Sequence, residues 1–289
     1  MATFYFPNKS TEKELNRRLL HFDHLKTIDK VYQSMRDEQT IDRMKDPSFS
    51  SDPGAVDRFE ETYFTSLVIR LQKPEMNPLF EKIDNAYQAF KQLINHYHPE
   101  ANVDIYFDTA HITVKSFSRD QELSWEEMRQ IYGLIHPVVQ TWLEKMKAET
   151  RLFARGLFSH LHPEKGLSMG IRFFPSTTLV QQIRGECGFT VYKEQDKKVF
   201  REDLLNPETH FHTLLTHSTG LRARGFQFPF DVRFVEEFTR LMLQYDRELF
   251  GVVSDLSMED FFLGNCKTDR YIITEKIGKE IPLGALPVN

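Results

Sequence analysis

Apolar residues in the first part of the chain recur at helical spacing. Thr11 and Glu14 match a capping box, in which two side chains satisfy free backbone N–H groups at a helix start. Seven apolar residues follow at intervals of three or four: Leu15, Leu19, Phe22, Leu25, Ile28, Val31 and Met35. A stretch rich in Ser, Asp and Pro over residues 46–54 then breaks the pattern. We therefore predict that residues 1–57 form an N-terminal helical extension and a linker.

The next part of the chain alternates between strand and helix patterns. Four strands are predicted there: Tyr63–Leu71, Val103–Val114, Leu152–Phe158 and Leu167–Phe174. A helix follows each of the first two strands. Pro78 fits the first turn of one helix, and Ser124 with Glu127 forms a capping box before the other.

A similar order follows in the second half. A short helix is predicted over Leu179–Arg184, and Asp231 is placed to cap a longer one. Three strands are predicted around them: Thr209–Thr216, Gly251–Gly264 and Arg270–Ile277. The repeated order predicts an α+β domain over residues 58–289. It would contain two related lobes of sheet plus helices, at about residues 58–170 and 171–289.

A histidine and a threonine stand two positions apart near the end of the second predicted strand, as His111 and Thr113. Residues two apart on a strand share a face, so these polar side chains are expected to point together. Ala110, Ile112 and Val114 would then point into the core. The spacing predicts an imidazole and a hydroxyl side by side above a buried surface.

The corresponding region of the second half repeats this spacing with His217 and Thr219. The placement is also equivalent, because each histidine precedes the start of a predicted helix by the same distance. His111 lies 14 residues before Trp125, and His217 lies 14 residues before Asp231. The two pairs are therefore candidates for one shared site.

The sequence is also compatible with a second register of the later strand, which changes the catalytic histidine. In that register His212 takes the catalytic position, and the residues beside it pack better in the core. Leu214 then occupies the position where the hydroxyl is expected. His212 and His217 are five residues apart and face opposite ways on one regular strand. Both reach a single site only if a bulge or turn intervenes.

Composition and charge limit the kinds of partner that the protein is expected to bind and the compartment in which it is expected. The chain has 37 Lys+Arg against 42 Asp+Glu, a net charge of −5, which disfavours extended nucleic-acid binding by charge alone. Two cysteines, Cys187 and Cys266, are typical of a reducing compartment. Neither a signal-like segment nor an apolar run of membrane length stands out. We expect a cytoplasmic protein with no membrane contact.

These patterns resemble the two-histidine (2H) phosphoesterase superfamily, which includes RNA 2′,3′-cyclic phosphodiesterases and 2′-5′ RNA ligase-like proteins. Residues 110–114 fit the family's first motif closely, and His217, Thr219 and Arg222 fit the second. The element order extends the resemblance over about residues 60–280. Ser218 and Gly220 depart from it, because the family usually has apolar residues at those positions.

The resemblance implies two pseudo-symmetric lobes of antiparallel sheet plus helices around a central cleft. It implies a metal-independent phosphodiesterase without a cofactor, acting on a small nucleotide or an RNA end. The substrate would be a 2′,3′-cyclic phosphate or a 2′-5′-linked oligonucleotide. Four residues would be catalytic: His111, Thr113, His217 and Thr219. Three would bind substrate: His212, Arg222 and Phe228.

These residue types suit the chemistry of phosphodiester hydrolysis. A base must take a proton from the attacking water and an acid must protonate the leaving oxygen, and histidine can do either near neutral pH. Threonine hydroxyls can donate to the non-bridging oxygens, and an arginine can add a charge-assisted contact. Phe228 can stack on a base at the rim.

Two other functions are compatible with the sequence. His96 with His98, and His210 with His212, have a spacing that metals can use on an extended chain, so a metal-dependent hydrolase is one alternative. The other is a non-catalytic nucleotide-binding protein on the same fold.

Overall fold

The fold is taken from a computed structural model, which describes most of the chain between residues 40 and 284. The described residues are 40–49, 63–71, 76–107, 110–118, 122–146, 151–162, 166–175, 179–187, 189–194, 197–202, 216–267, 272–273 and 281–284. Its helices are α1 Asn77–Tyr97, α2 Trp125–Met146, α3 Leu179–Glu186 and α4 Val232–Glu248, with a 3-10 helix at Met258–Asp260.

Within these described ranges, twelve strands accompany the helices. They are β1 Tyr63–Arg70, β2 Asn102–Ile105, β3 His111–Ser116, β4 Arg151–His162, β5 Gly166–Pro175, β6 Phe189–Glu194, β7 Lys197–Glu202, β8 Thr216–Arg224, β9 Phe250–Asp255, β10 Phe261–Lys267, β11 Ile272–Ile273 and β12 Ile281–Pro282.

The strands form two antiparallel five-stranded sheets and one hairpin. The first sheet has the order β11-β10-β1-β3, and β12 also pairs with β10. The second sheet has the order β2-β8-β5-β4-β9, and β6 pairs with β7 separately. The combination of antiparallel sheets and helices confirms the predicted α+β class.

The predicted caps set the starts of two helices. The Ser124 backbone N–H and hydroxyl both donate to the Glu127 carboxylate at 2.7 Å, which completes the capping box before α2. The Asp231 carboxylate accepts from the Arg233 backbone N–H at 2.7 Å at the start of α4. These side chains satisfy N–H groups that have no partner within the helix.

Two predicted strands are each divided between the sheets. The segment predicted as one strand over 103–114 contains β2, which pairs in the second sheet, and β3, which pairs in the first. The segment predicted over 251–264 contains β9 and the start of β10, separated by the 3-10 helix. In the first segment the apolar positions change from odd numbers (Val103, Ile105, Phe107) to even numbers (Ala110, Ile112, Val114), and the change of sheet lies at this shift of phase. The lobe boundaries at residues 57 and 170 stay predictions, and each sheet combines strands from both halves of the sequence.

Other differences concern the stretch between α3 and α4. The hairpin of β6 and β7 was not predicted. Of the strand predicted over 209–216, residues 209–215 lie outside the described residues, and β8 begins at Thr216. The second His-x-Thr pair therefore lies inside a strand.

Helices α1 and α4 pack on each other beside the second sheet, and α2 and α3 lie beside the first. Phe90 of α1 and Phe238 of α4 are fully buried, with ring centroids 5.2 Å apart. The apolar face predicted for α2 is largely confirmed, because Met128, Ile131 and Ile135 are fully buried. Both sheets thus keep one apolar face against helices.

Residues 40–49 of the N-terminal extension pack against the second sheet. Within the described residues, β9 pairs with β4 only along Arg151–Arg155, so the following part of that edge needs other partners. Thr40 Oγ1 donates to the Ser159 carbonyl at 3.2 Å and accepts from the Leu161 N–H at 3.3 Å. Arg43 donates to the Leu161 carbonyl at 2.5 Å. This segment therefore satisfies a strand edge in place of a further strand.

Replacing Thr40 with valine should show how much this edge contact contributes to the free energy of unfolding. The variant keeps the shape but leaves two buried backbone groups of β4 without their side-chain partner, at a cost of about 1–3 kcal/mol. Urea unfolding measures the change in the free energy of unfolding, and Lys45→Ala serves as a control because that side chain is exposed. Equal stability of the two variants would contradict this role.

Candidate functional site

The burial pattern of β3 matches the predicted alternation. Ile112 is fully buried, and Ala110 and Val114 are also in the core. Thr113 is exposed and His111 is partly exposed. The imidazole and hydroxyl of the first pair thus lie on the face of β3 that points away from the core.

An arginine that the sequence analysis did not identify lies beside His111. In the antiparallel pairing of β1 and β3, Arg70 is directly opposite His111, and Val68 is opposite Thr113. Directly opposite residues have their side chains on the same face of a sheet. The Arg70 guanidinium also lies 4.8 Å from the ring centroid of Phe262 on β10. A cation therefore lies next to the first histidine.

Pairing with β5 defines the face of β8 that carries the second pair. His217 is opposite Arg172, Thr219 is opposite Gly170, and Arg222 is opposite Ser168. The three β5 residues are two apart and share a face. By this register, His217, Thr219 and Arg222 lie on one face of the second sheet.

A bulge explains how Thr219 and Arg222 share that face although they are three residues apart. The pairing shifts between Met169 and Gly170, which leaves Gly220 as an extra residue in β8. The Gly220 carbonyl accepts from the Tyr106 N–H at 2.9 Å. A Cβ atom at position 220 would lie 2.6 Å from Cε2 of the buried Tyr87 ring. Glycine at position 220 therefore avoids a steric clash with Tyr87.

The two pairs come from neighbouring strands of different sheets. In the described part of the chain, β3 is the edge strand of the first sheet, and β2 pairs with β8 only along Leu221–Arg224. Strands β3 and β8 lie against each other. His212 lies outside the described residues, so the choice between His212 and His217 stays a prediction.

Arg184 of α3 binds the backbone of β3. Its Nε donates to the Val114 carbonyl at 2.7 Å, and its terminal NH2 group donates to the Thr113 carbonyl at 3.1 Å. Both carbonyls belong to the strand that carries the first pair. Arg184 therefore fixes the edge strand that orients His111 and Thr113.

The Arg184→Met variant should loosen β3. Losing a charged donor from two carbonyls costs about 1–3 kcal/mol, and the effect should concentrate on β3 rather than on the whole fold. Amide hydrogen exchange should become faster at Ile112 and Val114 while the α4 amides keep their rates. Arg240→Met on the exposed face of α4 is the matched control. Unchanged exchange along β3 would refute this role for Arg184.

The structure does not bring Phe228 to these residues. Its ring packs against Phe49 at 5.3 Å and Phe230 at 4.8 Å between centroids. Phe228 follows the end of β8 at Arg224, whereas Thr219 lies in the other half of that strand. The predicted stacking position therefore belongs to an aromatic cluster that anchors the N-terminal segment.

The histidines considered as metal ligands are also accounted for where they are described. His96 and His98 lie at the C-terminal end of α1 rather than on an extended strand. The buried His98 ring lies edge-on to Phe226, Phe230 and Phe234, and this burial lowers its pKa. Among the described residues, no group of three or more His, Cys, Asp and Glu side chains is placed to hold a metal ion. His210 lies outside them.

No helix in the described ranges is both long enough and apolar enough to cross a bilayer.

Comparisons with known proteins add a structural likeness. No protein-family model matches the sequence, and no curated protein matches it. The solved structure of Usb1 from Kluyveromyces marxianus with uridine monophosphate is similar at 10% sequence identity and a TM-score of 0.38. The alignment covers 78% of this chain and 98% of that chain. At these values the likeness carries no argument about the site.

Proposed function

We propose that this protein is a metal-independent phosphodiesterase that hydrolyses a nucleotide substrate by two-histidine acid–base catalysis. The substrate is a 2′,3′-cyclic phosphate, a 2′-5′-linked oligonucleotide or an RNA end. The proposal is supported above all by one observation. Two His-x-Thr segments lie on neighbouring strands, β3 and β8, which belong to different sheets.

His111 and His217 act as the acid and base of this reaction. One imidazole accepts a proton from water as its oxygen attacks phosphorus, and the imidazolium of the other protonates the leaving sugar oxygen. The P–O bond to the sugar breaks as the new P–O bond forms. The assignment of acid and base between the two histidines is left to experiment.

The remaining polar side chains stabilise the phosphate. The Thr113 and Thr219 hydroxyls donate to non-bridging oxygens, where negative charge increases in the transition state. Arg70 adds a cation on the His111 side, supported by its register opposite that residue. Arg222 has the corresponding place on the Thr219 face of β8.

The test is a substrate panel with the purified full chain. It contains the four 2′,3′-cyclic nucleotides, 2′-5′ and 3′-5′ dinucleotides, and short RNAs with cyclic or hydroxyl 3′ ends. We expect product from at least one class, unchanged by EDTA, with a bell-shaped pH dependence of kcat/KM from two groups of opposite protonation state.

Each alternative has its own outcome in this panel. Activity that EDTA abolishes and a divalent metal restores would replace the proposal with a metal-dependent hydrolase. Binding of these ligands without any product would replace it with a nucleotide-binding protein.

A further inference from the structure

The Thr219 face of the second sheet continues beyond the candidate site as a row of polar side chains. Arg222 lies between Asp104 of β2 and Ser168 of β5, directly opposite both. Ser168 is in turn opposite His160 of β4. Opposite residues share a face, so this row crosses four strands with polar side chains.

A second row lies one step further along the same strands. Arg224 is opposite Asn102, and His162 is opposite Gly166. The rings of His160 and His162 are 5.7 Å apart between centroids, as expected for side chains on one face. Arg224 and both histidines are partly exposed.

The other face of these strands is mostly apolar at the matching positions, with Ser159 of β4, opposite Met169, as a buried polar residue. Leu161, Leu167, Met169, Leu221 and Ala223 are all fully buried. Polar residues therefore alternate with core residues, and they gather on the face that continues from Thr219. In these two rows the buried Arg222 lies opposite the carboxylate of Asp104, and the partly exposed cationic or titratable side chains are Arg224, His160 and His162.

The distances along the strands are too long for a single bound phosphate to contact the whole surface. Matching positions on β5 are two residues apart, which corresponds to about 7 Å from one row to the next. The Arg224 row is thus two steps, about 13 Å, from the Thr219 row. A ligand that contacts both rows must be longer than one nucleotide.

We infer that this face binds the phosphates of further nucleotides, so that the substrate is the end of a short oligonucleotide rather than a free mononucleotide. The inference rests on the proposed function for its orientation toward Thr219. Arginine binds phosphate through several N–H donors, and imidazole is partly protonated near neutral pH. A local patch of this kind is compatible with the net charge of −5, because only a few phosphates are held.

Fluorescence anisotropy with labelled oligouridylates tests this binding independently of turnover. Mono-, di-, tetra- and octanucleotides are titrated into the full chain at several salt concentrations. We expect affinity to rise with length up to the tetranucleotide. Arg224→Gln should weaken tetranucleotide binding about tenfold through loss of one charge-assisted contact. It should also lower the salt slope by about 1 while leaving mononucleotide binding unchanged.

Matched variants exclude general effects of charge and folding. Arg240→Gln removes the same charge from the exposed face of α4 and should bind like the wild type. Arg224→Lys keeps the charge and should recover most of the affinity. The double variant His160→Gln with His162→Gln should weaken the tetranucleotide selectively, with the larger loss below pH 6.5, where imidazole is charged.

The outcomes distinguish this inference from the proposed function. Affinity that does not depend on length, or an equal loss in Arg240→Gln, overturns the inference even if cyclic nucleotides are hydrolysed. Length-dependent binding that Arg224→Gln weakens, without hydrolysis of any substrate, supports the surface and overturns the phosphodiesterase.

Discussion

We expect the His111→Ala variant to lose about 10²- to 10⁴-fold in kcat on a cyclic or 2′-5′ phosphodiester, the usual contribution of one acid–base group. The loss should fall on kcat rather than on KM, because the imidazole transfers a proton mainly in the transition state. Single-turnover kinetics with excess enzyme measures the chemical step directly. Thermal unfolding of the same variant should be close to wild type, since His111 is only partly buried.

The control for this variant is His136→Ala, a histidine of α2 that contacts Tyr132 and lies outside the proposed site. It should keep wild-type kcat. Normal turnover in His111→Ala on every substrate that the wild type hydrolyses would show that the catalytic assignment is wrong.

The same measurement decides between His217 and His212. Each is replaced by alanine, and the catalytic residue should lower kcat as much as His111→Ala does. The double variant with His111→Ala should lose less than the product of the single losses, because the two histidines act as a unit. The pH profile of the affected variant should also lose one limb of the bell. Wild-type turnover in both His217→Ala and His212→Ala would show that neither histidine takes part in the reaction.

The second large effect concerns the bulge in β8. In Gly220→Ala, the new Cβ approaches the buried Tyr87 ring to 2.6 Å, a distance at which something must shift. Tyr87 is a rigid ring with 1% exposure, so we expect a loss of stability of about 1–3 kcal/mol. The shift also displaces Thr219, the neighbouring residue, so kcat should fall as well. Urea unfolding and turnover are measured on the same preparation.

Gly133→Ala is the matched control for this substitution. Gly133 lies within α2, and a Cβ there meets nothing within 4 Å. Alanine in a helix interior is favoured over glycine by about 0.5–1 kcal/mol, so this variant should be slightly more stable than wild type. Tyr87→Leu combined with Gly220→Ala should recover part of the lost activity. Equal stability in the two glycine variants would argue against a close approach at Gly220.

Local patterns predicted the elements around the site well. The alternation of Ala110, Ile112 and Val114 with polar residues predicted which face of β3 is buried. Helix starts at Ser124 and Asp231 followed from capping chemistry, which depends only on residues nearby in the chain. These predictions succeeded because their causes are short-range.

Features that depend on pairing between distant segments were not predictable in this way. The position of Arg70 opposite His111 depends on how β1 pairs with β3. The need for glycine at position 220 depends on the close approach of Tyr87, a residue of α1. The alternation in 103–114 shifts by one position between Phe107 and Ala110, but the different sheets in which the two parts pair depend on distant strands. A single sequence specifies such contacts only through the complete fold.

The interleaving of the two sheets has a consequence for synthesis on the ribosome. Tyr63 of β1 pairs with Lys267 of β10, so the first sheet lacks a central strand until residue 267 has been made. During translation β1 keeps an unpaired apolar edge, which is a site for association with other chains. A nascent chain that stops before β10 should therefore depend on chaperones, whereas the completed chain closes this edge by itself.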